Sequence, residues 1–381
     1  MKKILHIIAR LSPGGTELKL LDLIKNTKGD FHHEILVISY SDIELLKLFE
    51  EEGVKILNLN ISDISSLVSS FGFLYKSYKN SSFNLIVGWL YHGNFFSLLI
   101  KLIQKEKSKI IWNIRSSTKA LKYSPFHRKI IIKFLKIFSK RISTIIYNSS
   151  NSKNEHCDIG IINANNIIIE NGIDTNKFKH FNNARRDFCD AHNISPESFI
   201  IGISARNHPI KNYDLFLASL VKALEKNPKI ICIICGADTK NLKKNFFDHF
   251  LSGKEKYEKR VFFLGYKRNM PFYYSVMDLL VLSSYSESSS NAIAESMSCE
   301  CIAVSTDVGN SKKLINNENF IISDGTQESK ITNLAKKIID LSFIDKASIS
   351  QIKKNNRKQI KSNYSNEQML VSFKKIFNDL S

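Results

Sequence analysis

Residues 278–306, DLLVLSSYSESSSNAIAESMSCECIAVST, decide how the rest of the chain is read. Both ends, DLLVLSS (278–284) and CIAVST (301–306), are apolar runs of strand length. Between them NAIAESMS has helical spacing. The polar YSESSS segment is therefore a short turn from a strand into a helix, not a linker. Ser289 or Ser290 is placed to cap that helix, since a serine oxygen can accept from the open N–H groups of the first turn. Strand, turn, helix and strand in this order form a crossover unit of a parallel sheet.

Working outward, the same alternation fills the chain. Strand candidates in the first half are 3–9, 33–39, 54–59, 84–90, 109–114, 144–149 and 166–171. A second series follows at 199–205, 229–236, 261–265, 278–284, 301–306 and 320–323. Several are apolar on both faces, as strands covered by helices on two sides must be. The expected class is α/β, with two doubly wound domains, as the 381 residues also suggest. The polar, turn-rich stretch 172–198 separates the series. The domains are expected at 1–175 and 176–364, with a final amphipathic helix at 365–381 started by Ser365.

A net charge of +19 favours anionic partners. It does not choose among nucleic acid, phosphorylated ligands and an anionic membrane. No recognition-helix, zinc-finger or aromatic RNA-binding signature accompanies the charge, so nucleic acid is not expected as a partner. Of the six cysteines, Cys232 and Cys235 have metal-ligand spacing. They fall in a strand, where residues i and i+3 point to opposite faces, so no zinc site is expected. Reduced core thiols in a cytoplasmic protein are the expectation. No run of 18 apolar residues occurs, and MKKILHIIAR is cut short by Arg10 and lacks a cleavage site.

Three places carry candidate chemistry. LSPGGTELKLLDLI places Gly14 and Gly15 between a strand and a helix. Such a turn suits phosphate, and equally suits a bare strand-to-helix connection. IGISARNHPIKNYDLF places Arg206 and Lys211 after a strand, where α/β folds bind ligands. A guanidinium fork and an ammonium on one loop can grip a diphosphate; solvated surface cations are the plainer alternative. In the opening stretch Glu287 lies in the turn and Glu295 more than one helical turn on. Two carboxylates can accept from hydroxyls on two parts of one ligand, with backbone N–H groups near 288–291 between them for an anion. A solvated, glutamate-bearing loop remains the alternative reading of this stretch alone.

The spacing Glu287-x7-Glu295 resembles the E-x7-E motif of family 4 glycosyltransferases. Four further blocks agree in order: GGTE (14–17), YNSS (147–150), NGID (171–174) and the Arg206…Lys211 pair. The resemblance spans nearly the whole chain. It implies the GT-B fold, two Rossmann-like domains facing a cleft, with the 365–381 helix packing back on the first. The first domain would then bind the acceptor and the second the nucleotide-sugar donor. Arg206 and Lys211 would hold the donor diphosphate, with Gly15, Ser289, Ser290 and Asn291. Glu295 would bind the nucleotide ribose and Glu287 the donor sugar, in the catalytic centre. The implied reaction is hexose transfer from a UDP- or GDP-linked donor with retention, in bacterial surface polysaccharide synthesis. No metal or other cofactor is implied, because cations and a helix dipole stabilise the leaving group.

The sequence departs from that family at Ser288, Glu300, Ile302 and Asn310. Asn310 and Glu300 stand where glycines are common. Asn tolerates positive φ, so Asn310 is a mild exchange. Ser288 leaves the donor sugar undefined. On the acceptor side, GWLYHGNFF resembles a W-x-x-H-like block, with Trp89, Tyr91 and His92. His92 would orient or deprotonate an acceptor hydroxyl, or serve only as a loop or capping residue. Arg115, at the end of the next strand, would meet an anionic acceptor group or merely a neighbouring carboxylate.

Thirteen Lys and Arg residues lie between 101 and 141, opposed only by Glu106. Residues 125–141 read as a helix, with Ser124 as N-cap and Pro125 at its first position. At about 100° per residue, Lys129, Lys133, Lys136 and Lys140 share one face, opposite Ile131, Phe134, Leu135 and Phe138. The helix either docks on anionic lipid or covers the sheet with its basic face in water. The expected location is the cytoplasm, peripheral on the inner membrane face, with a glycan or lipid-linked acceptor. A GT-B nucleotide-sugar epimerase is the competing enzyme class. A glycoside hydrolase would need both carboxylates at one sugar.

Overall fold

The computed structural model describes residues 1–12, 14–104, 108–243, 250 and 255–380. Lys105, Glu106 and Lys107 of the basic stretch fall outside the described residues. The chain divides into two compact units, Met1–Gly172 with Glu367–Ser381, and Ile173–Asn366.

The first unit holds β1 (Lys2–Leu11), β2 (Phe31–Ser41), β3 (Lys55–Asn58), β4 (Leu85–Trp89), β5 (Lys109–Ile114), β6 (Thr144–Tyr147) and β7 (Asn166–Ile168). They form one sheet in the order β3-β2-β1-β4-β5-β6-β7, and every pairing is parallel. Alternation along β1 sends Ile4 and Ile8 to one core and Leu5 and Ile7 to the other. The helix Asn366–Leu380 closes the first core with Met369, Phe373 and Phe377. On the other face the helix Leu90–Ile103 lies directly on β1. A Cβ on Gly93 would sit 2.1 Å from the Ile7 carbonyl oxygen, so this approach needs glycine.

The second unit holds β8 (Phe199–Ser204), β9 (Ile230–Cys235), β10 (Val261–Gly265), β11 (Leu279–Leu282), β12 (Ile302–Thr306) and β13 (Ile321–Ile322). Their order is β10-β9-β8-β11-β12-β13, again parallel throughout. The order reverses between β8 and β11, a switch point at which α/β sheets bind ligands beyond the carboxyl ends of the strands. The α/β class with two parallel, doubly wound sheets is thus met. Cys232 faces one core of this unit and Cys235 the other, as strand geometry requires. Burial pushes both thiols up, that of Cys235 to about 12.

The basic helix runs over Phe126–Phe138 and ends in a tight turn at Ser139–Arg141. Its cap position is Pro125, not Ser124. The Ser124 hydroxyl instead accepts from Arg128 Nη1 at 2.8 Å. The buried face is narrower than expected: Ile132 and Leu135 enter the core, whereas Phe134 is exposed beside the lysines. Phe126, Ile130 and Ile137 are exposed as well, so apolar and basic side chains share the outer surface. Among the described residues, no helix is long and apolar enough to cross a membrane.

Candidate functional site

The loops after β8 and β11 are fastened side by side. Tyr285 N–H donates to the Ile210 carbonyl at 2.8 Å, and the Ser283 hydroxyl donates to the Lys211 carbonyl at 2.9 Å. Lys211 ends a short 3-10 turn, Pro209–Lys211, and Asn212 then opens the helix Tyr213–Lys226 with φ +48. This positions the ammonium against the loop from the neighbouring strand. Lys211 Nζ lies 2.6 Å from Glu287 Oε1, and the Ser284 hydroxyl donates to the same oxygen at 2.8 Å. Both charged side chains are largely buried. Arg206 is exposed and forms no ion pair among the described residues.

The helix Asn291–Ser298 follows, with Ser290 as its cap; the Ser290 oxygen accepts from Ile293 N–H at 3.5 Å. Ser289 sits half-buried just before it, and Asn291 is the first helical residue. The amino end of this helix therefore lies beside the Lys211–Glu287 pair, where its dipole favours negative charge. Gly309 holds the loop from behind. Its φ is +57, and a Cβ there would sit 2.8 Å from the Glu287 carbonyl oxygen. Asn310 has φ −103, so tolerance of positive φ is not what it supplies; its side-chain oxygen accepts from Ser290 N–H at 3.3 Å.

Glu295 lies deeper. The Tyr274 hydroxyl stands 3.2 Å from Glu295 Oε2 and 3.2 Å from Ser204 Oγ at the end of β8. Burial, and then the charge of Glu295, push the Tyr274 phenol well above its ordinary range, so it stays a donor. Sequence reasoning passed over Tyr274, whose hydroxyl donates to the Glu295 carboxylate. Its only signal is the run of three aromatic residues in NMPFYYSV, which reads as ordinary core. Glu300 explains one of the sequence's departures: it sits at φ +62, a glycine-favouring position.

In the first unit, Gly15 begins the helix Gly15–Thr27, whose amino end has no side-chain cap. His92 lies in the first turn after β4, reached through Leu90 at φ +59. A leucine there carries strain of about 1–2 kcal/mol. Burial first, then Arg128, His127 and Arg10, lower His92 to about 4. It is neutral at pH 7 and able to accept a proton.

Trp89 corrects its expected place on the acceptor side. It is fully buried, because the last residue of β4 points into the core. Its indole N–H donates to His6 Nδ1 at 3.2 Å, and its ring stacks on Phe373. Arg115 is buried over the Trp89 ring, bonded to the amide oxygens of Asn113 and Asn171. Burial lowers it to about 10. It forms no ion pair with a carboxylate among the described residues.

Comparison with curated sequences gives no match. Three solved structures show the fold. HepE from Anabaena, solved with UDP and glucose, superposes with a TM-score of 0.81 at 18% identity, covering 100% of both chains. A glycosyltransferase from Rickettsia africae gives 0.78 at 17% identity, covering 100% of this chain and 98% of that one. WaaG, a glycosyltransferase involved in lipopolysaccharide biosynthesis, gives 0.75 at 11% identity, covering 99% of each. The two parallel-sheet units thus have the fold of GT-B glycosyltransferases, and residues 185–359, which carry Arg206, Lys211, Glu287 and Glu295, match the family model described as Glycosyl transferases group 1.

Proposed function

We propose that the chain transfers a hexose from a UDP-linked donor, with retention, to a glycan or lipid-linked acceptor. The carrying observation is the Lys211–Glu287 pair at the switch point, beside a capped helix end and the Tyr274-held Glu295. In this reading Arg206, Lys211, Gly15, Ser289, Ser290 and Asn291 bind the donor diphosphate. Lys211 and the helix amino end neutralise the charge that gathers on the leaving group; no metal is needed for that. Glu287 accepts from sugar hydroxyls and Glu295 from ribose hydroxyls. Neutral His92 takes the acceptor proton or orients its hydroxyl. UDP is favoured because HepE has been solved with UDP and with UDP-glucose. The link of WaaG to lipopolysaccharide supports a surface-polysaccharide pathway.

The location proposed is the cytoplasmic face of an anionic membrane. The helix Phe126–Phe138 supports it: Phe126 and Ile137 are 76% and 69% exposed, among Lys129, Lys133, Lys136 and Lys140. Cations close to anionic lipid contribute about 1 kcal/mol each. Thermal unfolding against a panel of nucleotide sugars tests the donor assignment. UDP-hexoses should raise the midpoint most; no response to any nucleotide sugar contradicts the reading.

A further inference from the structure

We infer a second anion-recognition site in the first unit, built from Arg10, His92, His127 and Arg128, that takes a phosphate or diphosphate group of the acceptor. The anion binding stands on the residues themselves. Only its attribution to the acceptor rests on the functional reading above.

Three separate elements bring these groups together. Arg10 lies near the carboxyl end of β1, which pairs with β4. His92 belongs to the first turn of the helix that follows β4. His127 and Arg128 belong to the first turn of Phe126–Phe138, which packs on that helix. The rings of His92 and His127 are 5.6 Å apart between centroids. Arg128 is half-buried and its fork is anchored by Ser124 at 2.8 Å. Arg10 and His127 are exposed, so a ligand can reach the cluster.

Among the described residues this charge is only weakly balanced. Arg10 and Arg128 form no ion pair among the described residues, and they act on each other and on His92 as like charges. The acid beside Arg10 is Glu17, whose carboxyl is pushed up by burial and so is a weak counter-ion. The hydroxyl of Tyr91 is the other titratable group facing Arg128. Gathering cations without a counter-ion opposes folding, and a bound dianion removes that repulsion. Two guanidinium forks match phosphate oxygens, and two imidazoles can add donors once protonated. Phe126 lies directly before His127 and is widely exposed, so a phosphate borne on an apolar tail would find a neighbouring apolar contact.

The test uses the full chain with 13C-labelled histidine rings, assigned through His92→Gln and His127→Gln. Inorganic diphosphate is titrated and the ring resonances are followed across pH. The expected result is movement of both resonances, with His92 raised by at least one pH unit. Arg10→Gln/Arg128→Gln should weaken the response at least tenfold. Arg206→Ala/Lys211→Ala should leave it intact, which separates this site from the donor site. Farnesyl diphosphate binding more tightly than inorganic diphosphate marks a lipid-borne group; equal affinity marks a soluble one. The inference is overturned if the two rings do not respond at millimolar diphosphate. It is equally overturned if the Arg10/Arg128 variant responds normally, or if the response vanishes with Arg206 and Lys211.

Discussion

Lys211 Nζ and Glu287 Oε1 lie 2.6 Å apart, joining the loop after β8 to the loop after β11 across the switch point. The pair holds both groups in a largely dehydrated setting. A donor diphosphate would share the ammonium, and sugar hydroxyls would share the carboxylate. Preorganised charge of this kind is worth far more than the same groups in water.

Tyr274→Phe removes the hydroxyl that Glu295 accepts from, while keeping the ring in the core. Hydrogen bonds to charged groups contribute about 1.5–3 kcal/mol. We expect donor KM to rise roughly tenfold or more, with kcat much less affected. An unchanged donor KM contradicts the role given to Tyr274.

Glu300→Gly should stabilise the protein. Glu300 sits at φ +62 after the carboxyl end of the helix Asn291–Ser298, where its charge also opposes the dipole. Its ion pair with Arg357, at 4.0 Å, is partly exposed and worth little. The expected gain is about 1 kcal/mol, or an increase of roughly 2–4 °C in Tm. Scanning calorimetry checks it; a lower midpoint contradicts it.

A directed chain of hydrogen bonds crosses the first unit. Trp89 N–H donates to His6 Nδ1, which fixes His6 as the Nε2–H tautomer and a donor to His33 Nδ1 at 3.0 Å. His33 Nε2–H then donates to Thr27 Oγ1 at 2.9 Å, and Thr27 donates to the Leu23 carbonyl. Both rings must be neutral. Burial lowers His33 to about 4, and burial together with the charge of His33 also holds His6 well below its ordinary value. The unfolded chain binds these protons near pH 6.5, so their contribution is complete above that and is lost as pH falls toward 4. His33 alone should cost about 1.5 kcal/mol of stability between pH 6.5 and 5, with His6 adding a loss of the same sign. Urea unfolding across this range measures it, and a flat profile contradicts it.

Phe126→Glu/Ile137→Glu changes two exposed side chains and should leave the fold intact. Wild type should sediment with anionic vesicles at low salt and be released at high salt. The variant should not sediment. Absence of vesicle binding by the wild type at low salt ends the membrane assignment.

The strands were legible because long β-branched runs betray a buried parallel sheet before any contact is known. The turn at 285–290 was legible because its length left no room for a linker. Trp89 was misread because sequence spacing does not say which face the last residue of β4 presents. On the helix Phe126–Phe138, spacing at 100° per residue put Phe134 on the covered face, but Ile132 and Leu135 are its buried residues and Phe134 stays exposed beside the lysines. The chain through His6 and His33 depends on the register of β1 against β2, which no local pattern encodes. Tyr274 reaches Glu295 from another helix, so only the folded chain brings them together.

The central claim is tested most directly by transfer from a UDP-hexose, measured for wild type, Lys211→Ala and Glu287→Ala, with folding confirmed by circular dichroism. We predict transfer by the wild type and a loss of about 100- to 1000-fold in each variant. Near-normal turnover in either folded variant would contradict the assignment, and donor turnover without any acceptor would point instead to an epimerase.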